Sequence, residues 1–294
     1  MSELATKTDR VSLWGELTGV PFRQHFVTAG GIRTRVIEAG DPTFPHLVLL
    51  HGTGGHAEAF LRNLPGLAPH FHLIAYDMVG HGWSDAPDKP YTLDVYADHL
   101  QALLETLGIE RCHLSGESLG GWVAAWYAAH DGPGVDRLVL AVPGNVTAKP
   151  ETMAKLRDST RRAVVEASPE TVRARLEWLF APDNRHLVPE ELVDVRLAIY
   201  SRPGAIKAVE NLLVLQDPEV RRHYTWTPEW CGRISAPTLI LWTEHDPTGP
   251  VEEGHLLHGW IPGSELVVME DAGHWPQWER PEEFDRLHKE FLLA

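Results

Sequence analysis

Residues 116–120 read Gly116-Glu117-Ser118-Leu119-Gly120, with Arg111-Cys112-His113-Leu114 ahead of them and Gly121-Trp122-Val123-Ala124-Ala125 behind. The pattern predicts a short strand that turns sharply into a helix with a serine at the corner, a nucleophile elbow. The two flanking glycines fit a turn too tight for a Cβ, with the hydroxyl projecting above the end of a sheet. A serine hydroxyl is a poor nucleophile at neutral pH and needs a histidine within hydrogen-bond reach and an acid behind that histidine. Loops just after later strands are where such partners belong, because active sites lie at the carboxyl ends of parallel strands. The run Thr238–Trp242 leads into Thr243-Glu244-His245-Asp246, and Leu266–Met269 into Glu270-Asp271-Ala272-Gly273-His274. Asp246 and His274 are therefore the expected partners, with Glu244 the alternative acid. The loop after Leu138–Val142 carries Pro143-Gly144-Asn145 and no carboxylate, which favours Asp246.

Attack on a carbonyl builds negative charge on its oxygen, which two fixed donors must meet. The backbone N–H of Leu119 is one candidate. The other should come from His51-Gly52-Thr53-Gly54-Gly55, where glycines let the backbone approach a substrate; Thr53 is the first choice and Gly54 the second. The same loop also reads as a plain strand-to-loop turn, and the two readings are compatible. Most of the seventeen histidines must be bystanders. His245 is beside the acid but in the wrong place, and His81 in Gly80-His81-Gly82 reads as turn chemistry. His51, His56, His70, His72 and His81 lack ligand spacing, so no metal is expected.

Arg196 stands out on physical grounds. At 100° per residue, Glu190–Tyr200 lays Leu192, Val193, Val195, Leu197, Ile199 and Tyr200 along one apolar arc, with Arg196 in its middle. A guanidinium there is costly unless an anion meets it. It is equally an arginine snorkelling to the surface or pairing with a nearby glutamate, or a carboxylate clamp.

Short apolar runs recur at Arg33–Glu38, His46–Leu50, His72–Tyr76, Cys112–Leu114, Leu138–Val142, Thr238–Trp242 and Glu265–Met269, with helical segments such as Leu93–Leu107 and Ser118–Ala129 between them. This alternation predicts an α/β fold with a mostly parallel sheet covered by helices on both faces. The first strands, up to Glu38, should form an antiparallel edge. Between Val142 and Pro237 the alternation stops; Pro150–Arg233 reads as amphipathic helices, with Val172, Leu176, Leu179 and Phe180 on one face. The expected organisation is a core domain of residues 1–145 and 235–294, with a helical cap, residues 146–234, inserted after the sixth strand.

Composition limits the partners. Among 294 residues, 26 basic against 41 acidic leave a formal charge of −15 without long runs of either sign, which argues against nucleic acid or an anionic membrane. The stretch Met1 to Val20 has no apolar run of signal-peptide length and no segment is long enough to span a membrane, so a cytoplasmic protein is expected. Only Cys112 and Cys231 are present, which makes a disulfide framework or zinc site improbable.

With these residues in place, the chain resembles the α/β-hydrolase superfamily and, within it, the meta-cleavage product hydrolases, carbon–carbon bond hydrolases of aromatic-ring degradation. The likeness runs over nearly the whole chain: His51-Gly52-Thr53-Gly54-Gly55, the loop Asp77-Met78-Val79-Gly80-His81-Gly82-Trp83-Ser84-Asp85, the elbow, Glu190-Glu191-Leu192 leading to Arg196, and Gly273-His274-Trp275-Pro276-Gln277-Trp278-Glu279. The resemblance implies an α/β-hydrolase fold and no cofactor. It implies an Arg196 that binds a dienoate carboxylate and a Trp275 that lines the pocket, with Gly54 also near substrate. It implies an anionic dienoate as the small-molecule partner, and a homodimer or larger homo-oligomer, as relatives commonly are.

Two departures matter: many relatives carry a longer His-Gly-x-Gly-Pro-Gly loop, and an Asn directly before the serine where this chain has Glu117. Glu117 is either an ordinary polar elbow residue or one that alters substrate protonation or selectivity. The expected reaction is serine-dependent cleavage of a 2-hydroxy-6-oxohexa-2,4-dienoate type substrate to 2-hydroxypenta-2,4-dienoate and a carboxylic acid. A carboxylesterase or lactonase uses the same triad, and a ligand-sensing protein on this fold is the remoter alternative. Haloalkane dehalogenases and epoxide hydrolases would place Asp where Ser118 stands.

Overall fold

The computed structural model describes residues 12–130, 132 and 134–294. The apolar runs become strands of one eight-stranded sheet: β1 (Phe22–Ala29), β2 (Ile32–Ala39), β3 (His46–Leu50), β4 (His72–Tyr76), β5 (Cys112–Glu117), β6 (Val135–Ala141), β7 (Thr238–Thr243) and β8 (Glu265–Met269), in the order β1-β2-β4-β3-β5-β6-β7-β8. The pairs β1·β2 and β2·β4 are antiparallel and every later pair is parallel. The expected antiparallel edge is therefore present. Its outermost strand, β1, has no apolar run, because an edge strand with alternating exposure carries Arg23, Gln24 and His25. By contrast β4, β5 and β7 are buried along their whole length, as strands covered on both faces must be.

Helices of eight residues or more are α1 (Leu93–Leu107), α2 (Leu119–Ala129), α3 (Pro150–Glu166), α4 (Pro169–Leu179), α5 (Glu190–Tyr200), α6 (Ala205–Leu212), α7 (Val251–Trp260) and α8 (Pro281–Leu292). In α1 the buried residues Leu93, Tyr96, Leu100, Leu103 and Leu104 recur at helical spacing, and Gly108 ends the helix in the left-handed conformation. Proline opens α3, α4 and α8, where its missing N–H is not needed. Ser168 Oγ caps α4 by accepting from the Thr171 amide, and Thr171 Oγ1 accepts from the Ser168 amide in return. Helices α3–α6 and four shorter helical segments fill the chain between β6 and β7. Among the described residues no helix is long and apolar enough to cross a membrane.

Register is what positions the chemistry. Leu49 pairs with Ser115 and Leu50 with Gly116, so β3 and β5 end side by side and the loop from His51 lies against the elbow. Parallel pairing of Ala141 with Leu241 and of Thr243 with Met269 brings the loops after β7 and β8 to the same edge.

Candidate active site

Ser118 has φ 55° and ψ −117°, a strained conformation for a residue with a side chain, held by its Ala141 and Trp122 backbone hydrogen bonds. A Cβ on Gly116 would lie 2.2 Å from the Gly120 carbonyl, and one on Gly120 would lie 2.1 Å from the Leu50 oxygen. Neither position admits any other residue without moving backbone, so the glycine spacing follows from the packing of the turn. Leu119 opens α2, and its amide is among the first-turn donors with no partner inside the helix. Thr53 lines the same small cavity as Ser118, together with Gly52, Glu117, Arg175, Leu179, His274 and Trp275. The loop that carries Thr53 is pinned: Gly55 N–H donates to Gly52 O (2.9 Å), and His51 Nε2 accepts from the Met78 amide (3.1 Å).

His274 is 3% exposed, and its Nδ1 lies 2.8 Å from Asp246 Oδ2. Asp246 Oδ1 in turn accepts from the Thr248 amide (2.7 Å) and hydroxyl (2.8 Å), so the carboxylate cannot rotate away from the imidazole. Burial by itself would push the His274 pKa down, but the charge and hydrogen bond of Asp246, with Glu117 adding to them, outweigh it and raise the value. Glu244, the alternative acid, is half exposed beside His245, at 3.5 Å from the Asp271 amide and away from His274. Glu244, His245 and Asp271 bring their ligand atoms within 4.8 Å of one another, a surface cluster outside the Ser118 cavity.

Glu117 enters the reaction centre rather than the elbow's outer face. Its side chain is 1% exposed and its Oε1 lies 3.4 Å from His274 Nε2. Neither carboxyl oxygen has an aligned hydrogen-bond partner. Burial raises its pKa to about 7, against the pull of His274 and of the Gly52 amide. The carboxyl packs on Gly52, where a Cβ would come within 2.6 Å of Oε2. Thus His274 presents one ring nitrogen to Asp246 and the other to Glu117.

Arg196 is 1% exposed on α5; its Nε donates to His56 Nε2 (3.4 Å), its guanidinium lies 5.1 Å from the Trp275 ring centre, and Nη2 has no partner. His56 is neutral in this role: burial lowers its pKa, and its Nδ1 lies 2.8 Å from Glu58. The snorkelling alternative for Arg196 does not apply, since the side chain is enclosed and meets no carboxylate among the described residues. Trp275 lies in the wall of the Ser118 cavity. Gly54 does not: its carbonyl accepts from Tyr200 Oη (2.8 Å), and it lines a neighbouring pocket with His81, Ile199 and Tyr200. Gly54 has a left-handed φ of 69°, and a Cβ there would lie 2.9 Å from Tyr200 Oη of α5. Arg175 was not singled out by sequence reasoning, although Val172, Arg175, Leu176 and Leu179 share the buried face of α4, the same signal that marks Arg196.

Residues 45–281 match the α/β hydrolase fold family. A 2-hydroxy-6-oxononadienedioate/2-hydroxy-6-oxononatrienedioate hydrolase of Klebsiella pneumoniae is 31% identical over 279 residues, 90% of this chain and 93% of the relative. A 2-hydroxymuconate semialdehyde hydrolase of Pseudomonas sp. is 32% identical over 277 residues, 90% of this chain and 92% of the relative. Among solved structures, a variant of the meta-cleavage product hydrolase from Pseudomonas fluorescens superposes with a TM-score of 0.76 at 27% identity, covering 92% of this chain and 97% of that one. With the elbow, the Asp246–His274 pair and a fold shared over nearly its whole length, the chain belongs to the α/β-hydrolase family, in the group of the meta-cleavage product hydrolases.

Proposed function

We propose that the protein hydrolyses the carbon–carbon bond of a 2-hydroxy-6-oxohexa-2,4-dienoate type substrate through Ser118, without a cofactor. The observation that carries this reading is the enclosed Arg196, with a spare Nη2 donor beside Trp275, the residue directly after His274. An ester needs a nucleophile, a base and an oxyanion hole; it does not need a buried cation next to them. A dienoate does, because its carboxylate must be held in register while a distant ketone is attacked.

In the proposed sequence the dienol first becomes its keto tautomer, losing the 2-hydroxyl proton and gaining one at C5, with His274 moving the proton. Ser118 Oγ then adds to the C6 ketone as its proton passes to His274, whose positive charge Asp246 stabilises. The Thr53 and Leu119 amides receive the new oxyanion. The C5–C6 bond breaks with its electron pair delocalised into the dienolate, which is reprotonated and leaves as 2-hydroxypenta-2,4-dienoate. Water, deprotonated by His274, releases the acyl group from Ser118 as a carboxylic acid.

The test is loss of visible absorbance when the protein meets a panel of ring-opened catechol products, run beside a nitrophenyl ester. Bleaching of a dienoate should be abolished in Ser118→Ala. Arg196→Ala should lower dienoate turnover by about 100-fold or more while changing ester hydrolysis less than about threefold. If the ester is cleaved through Ser118 and every dienoate stays coloured, the protein is an esterase or lactonase.

A further inference from the structure

Arg175 has a burial and a position that the proposed reaction leaves unexplained. It projects from α4, is 4% exposed, and uses only Nε on the protein, donating to Thr160 Oγ1 at 3.2 Å. Nη1 is buried with no partner, and the guanidinium stacks 5.0 Å from the Trp178 ring. No carboxylate lies within ion-pair distance of it among the described residues. The same side chain lines the Ser118 cavity with His274 and Trp275 on one side, and on the other lines a surface cleft with Lys155, Ser159, Thr171 and Trp178. Arg196 is likewise enclosed and without an ion pair on a different helix, and its charge is felt at Arg175. A buried cation without an ion pair is desolvated and further disfavoured by a like charge; Glu117 is the carboxyl whose charge reaches Arg175, and it lies beyond ion-pair distance. A single carboxylate held by Arg196 leaves the second guanidinium unmatched.

We infer that Arg175 binds a second anionic group of the substrate, so that the preferred substrate is a dicarboxylate whose acyl tail ends in a carboxylate. This rests on the dienoate reading above. Arg196 holds the dienoate end, the C6 ketone lies over Ser118, and the tail runs toward the wall formed by Arg175, where the outer cleft offers room for its length. The guanidinium fork matches a carboxylate in two parallel hydrogen bonds, and here Nη1 is free to make one of them.

The experiment compares two dienoates with alkyl tails of equal length, one ending in a methyl group and one in a carboxylate. Wild-type kcat/KM should favour the carboxylate-tailed compound by about tenfold or more. Arg175→Gln should lower kcat/KM for that compound by about 30-fold more than for the methyl-tailed one, chiefly through KM, so that the wild-type preference is lost. Equal use of the two by the wild-type protein overturns the inference without any variant. Equal loss on both in Arg175→Gln also overturns it, assigning Arg175 to the dienoate carboxylate or to the structure around Glu117. Should neither dienoate bleach, the carbon–carbon reading fails by itself, and the inference is decided by inhibition of ester hydrolysis. A saturated dicarboxylate should then inhibit the wild-type protein more strongly than the monocarboxylate of equal length, and lose that advantage in Arg175→Gln; no such advantage overturns it.

Discussion

At the scale of single residues the unusual feature is a histidine between two carboxyl groups. Asp246 fixes Nδ1 at 2.8 Å, and Glu117 faces Nε2 at 3.4 Å, the nitrogen that takes the Ser118 proton in the proposed reaction. A carboxylate beside Nε2 stabilises the imidazolium, and the imidazolium is the form that cannot act as base. The sign follows: with Glu117 ionised, neutral His274 is reached only at higher pH. Glu117→Gln removes that charge while keeping the shape. The acid limb of kcat/KM should therefore move to lower pH. A pH profile of ester hydrolysis measures this independently of the dienoate chemistry. An unmoved limb would mean that Glu117 stays protonated throughout and serves only as a neutral neighbour.

At the scale of elements, the loop that carries His274 is held by one carboxylate. Glu279 accepts from the amides of Gly273 (3.0 Å) and Trp275 (3.1 Å) on that loop, and from the Ala181 amide (2.9 Å) and Asn184 Nδ2 (2.9 Å) beyond α4. The His274 amide completes the tie by donating to Leu179 O at 2.7 Å, the last residue of α4. The helix that carries Arg175 and the loop that carries His274 are thus fastened through Glu279 and through the Leu179 carbonyl. Glu279→Ala leaves these buried donors without an acceptor. It should lower stability by about 3 kcal/mol, read as a shifted urea midpoint, and should lower kcat through a misplaced His274. A stability loss below about 1 kcal/mol would show that water replaces the carboxylate freely.

At the scale of the molecule, two buried carboxyl groups make stability depend on pH in the sense opposite to most acids. Asp285 is 5% exposed, bonded to Asn63 Nδ2 at 2.9 Å, and burial raises its pKa from 3.8 to about 7. Glu117 is raised to about 7 for the same reason. For a group whose folded pKa lies above its unfolded value, the folded state binds more protons between the two values. Its contribution to stability is present below the unfolded pKa and is lost as pH rises through the folded one. The contribution of these two groups should therefore fall from about pH 4 to about pH 7, and Asp285→Asn should remove its share of that fall; denaturant unfolding of the two proteins at several pH values measures the difference. A slope unchanged by the substitution would show that Asp285 titrates normally.

Ser118, His274 and Asp246 were legible because their signals are local. A turn too tight for a Cβ demands glycine two residues either side of the serine, and a loop following an apolar run marks a residue at a strand's end. The parallel sheet was legible for the same reason, since strands buried on both faces read as apolar runs. Edge strand β1 was not legible in detail, because half of its residues face water. Arg196 was legible as a charge in an apolar arc, but whether it is enclosed depends on what α5 packs against, which no local pattern states. Arg175 carried the same signal on α4, and its place in the Ser118 cavity arises only when that helix is fastened to the His274 loop through Leu179 and Glu279. Gly54 went the other way: its sequence position suggested the substrate side, and Tyr200 from α5 took its carbonyl. The contact of Glu117 with His274 joins residues 157 positions apart, and the register of β5 against its neighbours, not the residue before the serine, decides that the carboxyl points at the base. Chemistry carried by short segments is written in the order of residues; charges that meet across a cavity are decided by how distant elements pack.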